Sequence, residues 1–167
     1  PFDIAFDAQR GRVCVAGYTQ AGFDGRETAG RFDALAACWG RHGQQAWATM
    51  VGSTSSDMGH GIDIYEPTGA VYMVGQTHDA LPGARNRGEV DAYLAKFDTD
   101  GSTEWIQQMG SFEDDKGLGV AVRPTGQVVV AGSTMGRVGD RANGERDIFL
   151  SEYSGEGNHE WSEQYGS

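Results

Sequence analysis

The chain has 167 residues with a formal net charge of −11, 38% hydrophobic and 10% aromatic residues, and 26 glycines. That length supports a real core, while the negative charge argues against nucleic acid and anionic membrane surfaces, since polyanion binding depends on Lys and Arg neutralising phosphates. No apolar run approaches the roughly 18 residues of a membrane span, and no charged-then-apolar leader marks a signal peptide.

Pro1 stands first where Met is usual, which leads us to expect a piece of a longer or processed product. Ile4-Ala5-Phe6 reads as a short strand, Gln9-Arg10-Gly11 as a turn, and Val13 to Ala16 as a second strand closed by Gly17. The same hairpin recurs from Gly59 to Thr77 and from Gly117 to Thr134, with Pro-Thr-Gly turns at 67–69 and 124–126. Each second strand leads into a Gly-rich polar connection, Gln20 to Phe32, His78 to Val90 and Met135 to Arg146. Third strands follow at Ala34 to Trp39, Ala92 to Phe97 and Ile148 to Tyr153. Fourth strands surround Trp47, Trp105 and Trp161.

Gly17, Gly75 and Gly132 are 58 and 57 residues apart, and the three tryptophans 58 and 56 apart. A period of about 57 residues, four short strands per period and no 3.6-residue pattern predict an all-β chain of β-propeller blades. The expected blades are three four-stranded antiparallel sheets at about 1–53, 54–111 and 112–167. One tryptophan per blade supplies apolar area for packing on a neighbour. Propellers close with about 4 to 8 blades. Three blades therefore imply a segment of a larger propeller, a ring completed by further copies, or an arc with exposed ends.

The pattern Gly-Ser-x-x-x-Asp-x-Gly-x-Gly, at Gly52 to Gly61 and Gly110 to Gly119, precedes Ile-Asp-Ile or Val-Ala-Val and a Gly-ended strand. Together with DAYLAKFDTDGSTEW, it resembles the SBBP repeat family of β-propellers across essentially the whole chain. The resemblance implies a part of a larger secreted or surface protein and no particular catalysis. The first copy departs from the pattern, with Pro1-Phe2-Asp3 where Gly-x-Gly is expected.

Asp98 and Asp100, in Asp-Thr-Asp-Gly-Ser, resemble the start of an oxygen-ligand calcium loop. The distal Glu is missing and the other copies lack the paired Asp, which favours a hairpin turn over calcium. Asp57 and Asp115 precede Gly-x-Gly between blades and read either as a ligand-binding rim or as acceptors that fix the turn. Asp33, Asp91 and Asp147 recur in every copy, as scaffold residues do.

The long connections carry Arg26, Arg31, Arg85, Arg87, Arg137, Arg141 and Arg146. Arg85, Arg87 and Arg141, with Asp57 and Asp115, are the candidate binding residues on a loop face formed with the inter-blade connections. Cys14 and Cys38 allow either a disulfide across neighbouring strands or two thiols. The four histidines show no metal-binding spacing, and no nucleophile elbow or phosphate loop is present.

These features predict a non-enzymatic extracellular or cell-surface module with a structural or protein-interaction role, as in an adhesin or filament, and without a cofactor. Its partners are other proteins or neighbouring copies. The alternative is a carbohydrate-binding or carbohydrate-active propeller, with a glycan as ligand and carboxylates assembled from distant loops.

Overall fold

The computed structural model describes residues 1–138 and 145–166. Within them the chain forms twelve strands in three four-stranded antiparallel sheets, each built from consecutive strands. The first sheet holds β1 (Asp3–Asp7), β2 (Arg12–Thr19), β3 (Asp33–Trp39) and β4 (Gln45–Val51). The middle sheet holds β5 (Asp57–Tyr65), β6 (Ala70–Thr77), β7 (Asp91–Phe97) and β8 (Thr103–Met109). The third holds β9 (Asp115–Val122), β10 (Val128–Thr134), β11 (Asp147–Tyr153) and β12 (His159–Tyr165).

The repeat predicted from sequence is visible strand by strand. Gly43, Gly101 and Gly157 close the turns between third and fourth strands with φ of 77°, 84° and 85°, a backbone region that other L-residues enter at a cost. Pairing of third and fourth strands shifts register at the same place in every sheet, at Cys38/Trp39, Lys96/Phe97 and Glu152/Tyr153. A bulge recurring at one position adds local twist to each sheet.

The middle sheet is apolar on both faces because it has a neighbour on each. All eight residues of β6 are buried. One core cluster joins Cys14, Ala36 and Trp47 of the first sheet to Ile62, Met73, Tyr93 and Phe97 of the middle one. A second joins Tyr72, Val74 and Leu94 to Val128, Val130 and Phe149 of the third sheet. Each fully buried large side chain here contributes about 1.5–3 kcal/mol through removal of apolar surface from water.

Cys14 and Cys38 form a disulfide. They are directly opposed on β2 and β3, with Cα atoms 4.1 Å apart, so the bond spans the pleat between two cross-strand neighbours. Closing a loop of this sequence separation, 24 residues, restricts the unfolded chain enough to contribute about 3 kcal/mol.

Polar contacts lock the sheets to one another. The Asp3 carboxylate accepts a hydrogen bond from the Ile62 amide at 2.9 Å, and Asp63 accepts one from Val122 at 2.7 Å. Arg12 is buried in the first seam, where its Nε pairs with Asp7 at 3.1 Å and its Nη1 donates to the Thr99 carbonyl at 2.9 Å. Arg12 Nη2 also donates to the Gly69 carbonyl. In the second seam Ala70 takes the Arg12 position, and Lys96 reaches across instead, donating to the Gly155 carbonyl at 3.0 Å.

Candidate functional site

The long connections and the inter-sheet connections emerge at one end of the stack, because every second and fourth strand ends there and every first and third strand begins there. Contacts confirm the clustering. Arg31 N donates to Ser55 O at 2.7 Å, His78 N to Ser56 O at 3.2 Å, and Met135 N to Asp114 O at 2.9 Å. These hydrogen bonds tie long connections to the inter-sheet connections beside them.

Asp57 and Asp115 lie beneath that surface and are fully buried. Asp57 accepts hydrogen bonds from the Ser53 amide at 2.7 Å and the Ser53 hydroxyl. Asp115 repeats this with Ser111, whose hydroxyl lies 2.9 Å away. Burial pushes both carboxyls above their ordinary range, an effect opposed by hydrogen bonding to Thr77 and Ser53 around Asp57, and to Thr134 and Ser111 around Asp115. The geometry gives these carboxylates the work of holding the Gly-Ser turns that carry the chain from one sheet to the next.

Asp33 and Asp91 do the same for the long connections. Asp33 accepts from Ala29 N at 2.8 Å, and Asp91 from Arg87 N and Gln108 Nε2, both at 2.7 Å. Asp147 accepts from Gln164 Nε2, again at 2.7 Å. At Asp33 and Asp91, repetition in sequence corresponds to repetition of a backbone-fixing role.

Asp98 and Asp100 lie at the opposite end, in the turn between β7 and β8. Asp98 Oδ1 accepts from the Asp100 amide at 2.9 Å and the Ser102 amide at 2.8 Å, a turn closed by its own side chain. Asp100 is exposed. Among the described residues no three His, Cys, Asp or Glu side chains are grouped to hold a metal ion.

Arg85 and Arg87 are exposed on the connection between β6 and β7. Arg141 lies outside the described residues. Arg87 borders a groove of about 310 Å³ between the middle and third sheets, facing Gln107, Tyr153, His159 and Ser162. The Tyr153 hydroxyl donates to Met109 Sδ, and burial pushes its pKa up to about 12 against the opposing charge of Arg87. A matching groove of about 370 Å³ lies between the first and middle sheets, bordered by Arg26, Glu27, Met50, Pro82 and Ile106. The grooves repeat with the sheets, yet their linings differ.

Phe112 was not singled out by the sequence. It is 90% exposed in the connection between the middle and third sheets, against Gly88 of the Arg87 connection. Thr54 holds the equivalent place one repeat earlier, so the available signal was an aromatic residue replacing a small polar one in a turn.

A further cavity of about 310 Å³ opens at the opposite end of the second seam, bordered by Tyr65, Tyr72, Lys96, Gln127 and Glu156. It occupies the place that the Arg12 guanidinium fills in the first seam.

No family model matches the chain. It is similar to the regulatory protein FlaEY of Caulobacter vibrioides, with 30% identity over 113 residues. The match takes in 59% of this chain, and it spans 12% of the relative's length.

Proposed function

We propose that this chain is a segment of an SBBP-type β-propeller, acting without catalysis outside the cell as a structural or protein-interaction module. The observation that carries the reading is the division of labour among polar residues. The recurrent carboxylates are committed to backbone turns, whereas the exposed groups Arg85, Arg87 and Phe112 gather on a single face. An exposed aromatic beside arginines is the composition of an interface centre. The disulfide adds support for an oxidising compartment.

A photo-crosslinking amino acid at position 112, introduced in the parent cell, tests the reading. A discrete protein adduct is expected from position 112 and none from Thr68, which lies in a turn at the opposite end of the middle sheet. Equal labelling from both positions, or none from 112, rules out the proposed face.

Glycan binding is the second reading. It draws on the cavity beside Tyr65 and Tyr72, where aromatic rings adjoin Gln127, Lys96 and Glu156. A glycan array probed with the purified chain, and with Tyr65→Ala as control, decides it: signal lost in the variant favours this reading.

A further inference from the structure

The grooves of the two internal seams are one cleft built twice, and their linings diverge in a single chemical direction. Ala29, Met50, Thr103 and Ile106 border the first groove, and one repeat later the same positions are Arg87, Gln108, His159 and Ser162 in the second. The equivalence is structural too, since the amides of Ala29 and Arg87 make the same hydrogen bond to Asp33 and Asp91. Behind these positions Ala95 of β7 becomes Ser151 of β11, and Phe97 becomes Tyr153. Apolar positions of the first seam have become hydrogen-bonding groups in the second.

Those groups are connected. Ser162 Oγ lies 2.7 Å from His159 Nε2 and 2.8 Å from Ser151 Oγ. The Tyr153 hydroxyl donates at 3.3 Å to Met109 Sδ, a weak acceptor that an entering oxyanion would outcompete. Arg87 holds Asp91 through its backbone amide, and its guanidinium forms no ion pair among the described residues. Glu27 and Asp33 border the first groove, whereas no Asp or Glu is among the described residues bordering the second. On a chain of net charge −11, a groove with a cation and no acid selects negative charge. Both of its walls belong to this chain, in the middle and third sheets.

We propose that this groove binds a carboxylate of an acidic segment of a partner protein, Arg87 taking the charge and the Tyr153 hydroxyl donating a further hydrogen bond. The inference deepens the protein-interaction reading and rests on it. Gly88, the residue after Arg87, lies against the backbone of Phe112, so the groove adjoins the exposed ring of the interaction face. A guanidinium matches both oxygens and the single charge of a carboxylate. A phosphate monoester brings a charge of about −1.5 to −2, more than one arginine balances.

Titration of the isotopically labelled chain with N-acetylglutamate N-methylamide, followed by amide chemical shifts, tests the site. Saturating shifts are expected at Arg87, Ser151, Tyr153 and Ser162, and none at Ala29 or Met50 of the first groove. The glutamine counterpart of the probe is expected to move none of them. Arg87→Ala removes an exposed side chain and should weaken binding about tenfold or more, the loss of a charged hydrogen bond. Ser162→Ile, which restores the first-seam residue, should weaken it as well. Absent shifts, or equal shifts with the glutamine probe, overturn the proposal. Tighter binding of inorganic phosphate or glucuronate than of the glutamate probe rules out a protein carboxylate as the ligand. In the parent cell, Arg87→Glu is expected to remove the adduct formed from position 112. An adduct that persists in Arg87→Glu removes the groove from the interface and leaves the module reading standing, whereas no adduct even with Arg87 intact fails that reading itself.

Discussion

Trp47 packs against Gly101, with its Cδ2 2.5 Å from where a Cβ on Gly101 would sit. The absence of a side chain at 101 is therefore required twice, once by φ of +84° and once by the indole of the neighbouring sheet. Gly83 shares the positive φ, +79°, but a Cβ there would meet nothing within 4 Å. Gly101→Ala is expected to cost about 2–5 kcal/mol, the left-handed backbone penalty plus overpacking. Gly83→Ala should cost about 1–2 kcal/mol, the backbone penalty alone. Urea unfolding midpoints of the two variants check this, and equal losses would show that Trp47 exerts no steric demand.

Arg12 is the only cation that is buried between the first and middle sheets among the described residues, and it ties Asp7 to two carbonyls of the middle sheet. Replacing it with Leu leaves the fully buried Asp7 carboxylate with Arg10 as its remaining charge partner, at 3.4 Å. Breaking a buried pair from one side costs about 3–5 kcal/mol, because the other charge stays desolvated. Arg12→Leu should therefore lower stability by that amount, and Arg12→Leu/Asp7→Asn should recover a large part of it. A double variant no more stable than the single one argues that the carbonyl contacts, not the ion pair, carry the effect.

How much of this was legible beforehand differs by kind of feature. Strand positions were, since the Gly-to-Gly and Trp-to-Trp spacings mark repeats regardless of their three-dimensional arrangement. Third strands expected at Ala34, Ala92 and Ile148 begin one residue earlier, at Asp33, Asp91 and Asp147, the first two of which fix the preceding connection with their side chains. Pairing across a long connection was not legible. Cys14 meets Cys38 only because β2 and β3 are in the register that also pairs Thr19 with Asp33, and the 13 residues between those two place no constraint on that register. The role of Arg12 was hidden for the same reason, since its acceptors lie 57 and 87 residues away. Asp57 and Asp115 could be read as rim or as turn, and their full burial against Ser53 and Ser111 was not legible in the sequence.

Those two aspartates give stability a pH dependence of defined sign. Burial raises their folded-state pKa values above the unfolded ones, assisted by the nearby Asp33 and Asp91 charges. In the window between unfolded and folded values the native state holds more protons, so stability falls as pH rises. Their contribution is fully present below about pH 4 and is lost as pH climbs through the raised values. Asp57→Asn/Asp115→Asn should lack this decline. Its stability relative to the parent chain should rise across that window in urea titrations at stepped pH. A difference that stays flat with pH would place both groups at ordinary carboxylate values.

The turn at Asp98 separates a calcium loop from a self-closed hairpin by the unequal roles of its two acids. Asp98 accepts two backbone amides, while Asp100 is exposed and makes no side-chain contact among the described residues. Removing the Asp98 acceptor should cost about 1–3 kcal/mol, since two turn amides lose their partner. Asp100→Ala should change stability by less than about 0.5 kcal/mol, as surface substitutions generally do. A calcium loop predicts a different pattern, in which both substitutions destabilise and a chelator lowers the melting temperature of the parent chain. The hairpin geometry predicts no chelator effect. A melting temperature that drops with chelator and recovers with added calcium would return Asp98 and Asp100 to the role of metal ligands.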